Sequence, residues 1–98
     1  PEADEIEADD LLEIIDTGYE LRLEPASRLL YTLDDGQLLF WANGEECCIS
    51  EQFESLLKQL ADGESLVFDQ SFNDAEILED IAQLLNESVL MLLPPDEE

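Results

Sequence analysis

Residues 28–49 read RLLYTLDDGQLLFWANGEECCI, and the fold of this chain turns on them. Arg28 to Leu33 and Gln37 to Ala42 are apolar, β-prone runs joined by Asp34-Asp35-Gly36, a hairpin signal. Asn43-Gly44 follows at once and leads into Glu45 through Ile49. Asn-Gly supplies the two positive-φ positions of the tightest hairpin turn, so the centre of the chain predicts an antiparallel meander.

Upstream, Tyr19, Leu21 and Leu23 alternate with Glu20 and Arg22, the period of a half-buried strand, until Pro25 interrupts it. Before that, Leu11, Leu12, Ile14 and Ile15 predict a short helix capped by Asp9 or Asp10 and stopped by Gly18. Downstream, Ser50 opens a helix whose Phe53, Leu56, Leu57 and Leu60 form one apolar stripe, ended by Asp62-Gly63. Ser65 to Phe68 reads as a short strand. Asn73 with Glu76 has the spacing of a capping box, and Ile77, Leu78, Ile81, Leu84 and Leu85 give the last helix its core face. Val89 to Leu93 is a closing strand stopped by Pro94-Pro95.

These elements predict an α+β domain, a small antiparallel sheet with about three helices in a winged-helix-like order. Residues 1–8 read as a disordered acidic linker, 9–93 as the domain and 94–98 as an acidic tail. Phe53, Leu57, Leu60, Ile77, Ile81 and Leu85 are the expected core. The first residues look like a linker, so the chain reads as a piece of a longer protein.

The 98 residues hold 27 Asp and Glu, three Lys and Arg and no His, a formal net charge of −24. Such a charge excludes affinity for nucleic acid phosphates and for anionic membrane, and attracts basic proteins. High charge alone would signal disorder. Here 31 of the 98 residues are Leu, Ile, Val or Phe, enough to build one modest core. No stretch approaches the roughly 20 apolar residues of a membrane span, and the acidic N-terminus is not a signal peptide. Cys47 and Cys48 are adjacent, without a CxxC spacing, and neighbouring strand residues point to opposite faces. Two reduced thiols suit the cytoplasm.

The chemistry-bearing patterns are weak. Paired carboxylates (Asp9-Asp10, Asp34-Asp35, Glu45-Glu46, Glu79-Asp80) are better explained as solvated turns and helix faces than as an acid/base dyad. Asp69, Ser71, Asn73 and Asp80 have the spacing of calcium-loop positions 1, 3, 5 and 12, but Asp74 stands where that loop requires Gly. Cys47 and Cys48 lack a His, and the adjacent Glu45 and Glu46 would raise a thiol pKa. A reader helix over Asp74 to Asn86 carries Asp74, Glu76, Glu79 and Asp80 and no cation. It does not read DNA.

Three stretches resemble one family. Pro25-Ala26-Ser27-Arg28-Leu29-Leu30-Tyr31 is similar to a P-G-S-R-aliphatic/aromatic-Tyr segment in the C-terminal domain of bacterial ribosomal oxygenases. Leu39-Phe40-Trp41-Ala42-Asn43-Gly44-Glu45 resembles that domain's L-F-V-N-G-E turn, and Leu84 to Leu90 its closing L-L-N-x-G-Y-L. Departures are Ala26 for Gly, one extra residue before Asn43, and Ser88-Val89 for Gly-Tyr. The resemblance implies a winged-helix domain following a JmjC-type cupin and a helical dimerisation region, the cupin using Fe(II) and 2-oxoglutarate to hydroxylate an arginine of a ribosomal protein. The iron ligands of that cupin are two His and one Asp, and this chain has no His. The resemblance therefore implies no catalytic, metal or cofactor residue here.

Three functions follow from these readings. The first is a non-catalytic accessory domain of such an oxygenase, with a basic protein, a ribosomal protein foremost, as partner. The second is a free-standing acidic interaction module or mimic of DNA charge. The third, a small hydrolase or metal protein, has the least support. The expected contact surface is the polar side of the two later helices, Glu51, Glu54, Glu76, Glu79 and Asp80; the competing reading is that these are solvated faces that only keep the domain soluble.

Overall fold

The structure, a computed structural model, describes residues 5–95. It is an α+β winged-helix fold with three α-helices and two three-stranded antiparallel sheets. The order is α1 (Ala8–Ile14), β1 (Glu20–Leu23), β2 (Leu29–Asp34), β3 (Gln37–Ala42), β4 (Glu45–Cys47), α2 (Glu54–Ala61), β5 (Leu66–Val67), α3 (Ala75–Asn86) and β6 (Leu90–Leu93). Single 3₁₀ turns, Glu51–Phe53 and Gln70–Phe72, lead toward α2 and α3.

The strands do not form one sheet. β2, β3 and β4 make the expected meander, while β1 lies between β5 and β6 in a second sheet. The divide falls at Pro25, where the chain leaves β1 before β2 begins. Leu23 pairs with Leu90 and Glu20 with Leu93, so the closing strand joins the first one across most of the chain. Both turns of the meander are two-residue turns with both central residues at positive φ: Asp35 (59°) and Gly36 (78°), then Asn43 (52°) and Gly44 (92°). That conformation matches the right-handed twist of the flanking strands.

One core joins both sheets to the helices. Leu21 of β1, Phe40 of β3, Phe53, Leu57 and Leu60 of the α2 region and Ile81 of α3 are all essentially solvent-free. Phe68 and Phe72 pack with ring centroids 5.3 Å apart beneath them. Among the described residues no polar or charged side chain is buried. The stripe expected on α2 is therefore correct. On α3, Leu84 is buried while Leu85 is only half-buried, because the helix turns it toward the rim. In α1, Leu11 and Ile15 face the core and Leu12 stays 46% exposed.

The helix caps differ from the sequence reading. The cap of α1 is Glu7, whose N–H donates to the Asp10 carboxylate at 3.0 Å, so Asp10 closes the turn from inside the helix. The helix ends at Ile14, four residues before Gly18. Asp16 takes a left-handed conformation there, and the Thr17 hydroxyl donates to the Ile14 carbonyl at 2.6 Å. The cap of α3 is Asp74, not Asn73. Its carboxylate accepts from the Glu76 and Ile77 N–H groups at 2.9 and 3.3 Å. Asn73 instead donates to Gln70 at 3.0 Å.

Residues 1–4 and 96–98, within the stretches read as acidic linker and tail, lie outside the described residues. Ile6 falls inside the stretch read as linker, yet its backbone is tied to α3. Its N–H donates to the Asn86 side chain at 2.8 Å and its carbonyl accepts from it at 2.9 Å.

Candidate functional site

The short β4 leaves a gap beside β3. It pairs with Phe40, Trp41 and Ala42 of β3 and stops at Cys47, so Gln37, Leu38 and Leu39 have no strand beyond them on that side. A hollow of about 600 Å³ opens in the gap, and Leu38, Leu39, Cys47 and Ile49 are the apolar part of its lining. Its far wall is the start of α2 and the polar face of α3, carrying Glu54, Glu76, Glu79 and Asp80. Toward the β2–β3 turn it continues through Gln37 and Ile49 into a hollow lined by Asp35, Glu51 and Glu54. At the other end it meets a smaller one, about 180 Å³, lined by Glu45, Glu46, Asp80 and Glu87 beside Leu84.

All five acidic residues chosen from the sequence therefore line one continuous groove. The tertiary structure adds four that helix faces alone could not reveal: Asp35, Glu45, Glu46 and Glu87. Nine carboxylates line the groove and no Lys or Arg does. Only the length of β4 could have pointed to this, through the break in alternation at Cys47-Cys48.

The nine are not equivalent. Asp80 is half-buried and accepts the Ser50 N–H at 2.8 Å, holding the chain where it enters the 3₁₀ turn before α2. The Gln52 amide donates to Asp74 at 3.2 Å and to Glu76 at 3.0 Å, bridging that turn to the start of α3. Asp80 and Glu76 thus also build the wall. Glu51, Glu54 and Glu79 accept no hydrogen bond from the described residues, which leaves both oxygens of each for solvent or a partner.

The Gln52 amide and the backbone N–H groups at the start of α3 hold the Asp74 carboxyl below the usual carboxylate range. Ser71 does the same for Asp69 through its hydroxyl at 2.6 Å and its N–H at 3.0 Å. Burial pushes the Cys47 thiol up, and Glu87 and Glu45 add to the shift. Both cysteines are free, with Cys47 half-buried and Cys48 exposed. A thiol kept protonated beside carboxylates is a poor nucleophile.

The calcium-loop spacing does not become a site. Asp69 caps a 3₁₀ turn, Asn73 bonds Gln70 and Asp80 bonds Ser50, so these side chains serve separate local contacts. Among the described residues no group of three or more Cys, Asp or Glu is placed to hold a metal ion. No helix among them is long and apolar enough to cross a membrane.

The three cations lie elsewhere. Arg22 is on β1 and Arg28 precedes β2. Lys58 of α2 is 4.0 Å from Asp62 and sits 5.4 Å from the centre of the Tyr31 ring, whose hydroxyl donates to Asp62 at 2.9 Å. That cluster braces the β2–β3 hairpin against α2. The helix in the reader position, α3, presents Glu76, Glu79, Gln83 and Asn86 to solvent and no positive charge. Phosphates along it would be repelled.

A family model described as ROXA-like winged helix matches residues 1–91. No curated protein and no solved structure matches the chain.

Proposed function

The chain belongs to the ROXA-like winged helix family, and we propose that it serves as the non-catalytic accessory domain of a ribosomal oxygenase, using its acidic groove to hold a basic protein segment. A winged-helix domain of this family is not itself catalytic. Fe(II) and 2-oxoglutarate would belong to a separate cupin domain of the same enzyme, acting in the cytoplasm. The favoured partner is a ribosomal protein, because family and charge point the same way.

The observation that carries this reading is the groove: nine carboxylates, no cation and a few apolar lining residues, Leu38, Leu39 and Ile49 among them. Desolvating that many like charges against an apolar or anionic partner is unfavourable. A segment of Lys and Arg with one or two apolar side chains relieves the repulsion and covers the apolar lining. The alternative, a free-standing module that mimics DNA charge, draws on the net charge of −24 alone.

Calorimetric titration with an Arg/Lys-rich peptide separates the two. Glu54→Lys/Glu79→Lys removes groove charge without touching a wall hydrogen bond. Glu13→Lys/Glu20→Lys makes the same change in net charge on α1 and β1, whose residues 13 and 20 do not line the groove. Loss of affinity in the first pair and near-retention in the second supports the groove. Equal loss in both would leave only non-specific attraction and overturn this reading.

A further inference from the structure

β2 is the end strand of its sheet and pairs only with β3. The register runs unbroken from Leu29 opposite Ala42 to Asp34 opposite Gln37, so no bulge twists this edge away. Neither Lys nor Pro lies within the strand, and Leu30 and Leu33 are 58% and 68% exposed. Edge strands are ordinarily blunted by such devices. This one carries none.

The hydrogen-bond parity follows from the turn. Asp34 and Gln37 close a two-residue hairpin, so they form a bonded pair, and Thr32 and Leu30 also bond toward β3. Leu29, Tyr31 and Leu33 therefore turn their N–H and C=O groups to the open edge. Arg28 lies three residues before Tyr31 and Asp34 three after it, and both share the outer face with Leu30 and Thr32.

We propose that β2 pairs antiparallel with β2 of a second copy of this chain across a two-fold axis at Tyr31, with Arg28 opposite Asp34 of the second copy at both ends. Among registers that match outward-facing residues, this one uses all three on each strand. It sets Leu33 beside Leu29 of the second copy, giving the most exposed leucine an apolar neighbour. The interface is isologous, so each contact occurs twice. The Tyr31 hydroxyl, Lys58 and Asp62 contacts brace the strand against α2 through side chains, and among the described residues no hydrogen bond engages the outward backbone groups of Leu29, Tyr31 and Leu33. The inference is independent of the acidic groove and of its partner.

The two sites respond to salt in opposite senses. Two chains of −24 repel at long range, so screening strengthens the dimer, whereas a basic segment in the groove is released. Sedimentation equilibrium of the purified chain tests this between low and high KCl, with circular dichroism as the control for folding. The expected result is a weak dimer that tightens as salt rises. Arg28→Asp sets Asp against Asp34 at both ends, and Asp34→Arg sets Arg against Arg28. Each single change should weaken the dimer about tenfold, and the double exchange should restore it. Leu33→Lys, at the most exposed leucine of the edge, should also disrupt it. A monomer at every salt and concentration, a dimer that loosens with salt, or one indifferent to the single exchanges would each overturn the proposal.

Discussion

At the residue scale, Asp74 joins the groove wall to α3. Its carboxylate caps the helix and accepts from Gln52, and these bonds favour the charged form. The folded-state pKa is therefore lowered below the ordinary Asp value of about 3.9. A group shifted in this direction adds stability above its unfolded pKa and loses it as pH falls through the folded one. Asp74→Asn keeps a cap oxygen but removes the charge. Its melting temperature should lie below that of the parent chain at neutral pH, and the gap should begin to narrow near about pH 4 and close as the pH falls through the lowered folded value. A gap independent of pH would mean that the charge plays no part. The sequence showed a cap near this position, yet favoured Asn73. Asn73 and Asp74 are both good caps, and only the 3₁₀ turn before them aims Asp74 at the open N–H groups.

At the scale of elements, the helices are held by packing rather than by length. α2 has eight residues and α3 twelve, too short to persist alone in water. α2 packs against β1 and β2 and α3 against α1 and β6, and Leu57, Leu60, Ile77 and Ile81 all enter the same buried core. Leu57→Ala should cost about 2–5 kcal/mol, since the site is fully enclosed. Leu85→Ala should cost less than half of that, because Leu85 already meets solvent. Urea denaturation of the two variants makes the comparison directly. Equal losses would show that Leu85 carries core packing despite its half exposure. The helix periodicity read from sequence could not separate Leu84 from Leu85. They differ by one 100° step around the helix, and the partner surface decides which is enclosed.

For the whole molecule, charge is the dominant constraint. Twenty-seven carboxylic side chains against three cations repel one another in the compact state. Raising salt from 0.01 to 1 M shortens the screening length from about 30 Å to about 3 Å. The melting temperature should rise across that range, in contrast to a domain held by surface ion pairs. Among the described residues the sole ion pair within 4.0 Å is Lys58–Asp62, with both side chains near half exposure, so salt removes little stabilisation. A flat or falling melting temperature would show that the carboxylates are already neutralised by bound cations.

The sequence alone determined the meander, the two positive-φ turns and the apolar stripes, because each depends on neighbours within one turn or one hairpin. It also determined that α3 is anionic, which is a matter of composition. The tertiary structure decided what those local elements face. It split the strands into two sheets by pairing Leu23 with Leu90, a contact with no local signature. It stopped β4 at Cys47 and so opened a groove, into which it brought Asp35, Glu45, Glu46 and Glu87 beside five carboxylates from the helices. Strand pairing and core packing act between residues tens of positions apart. Periodicity identifies which face of an element is buried, and only the assembled fold determines what the other face meets.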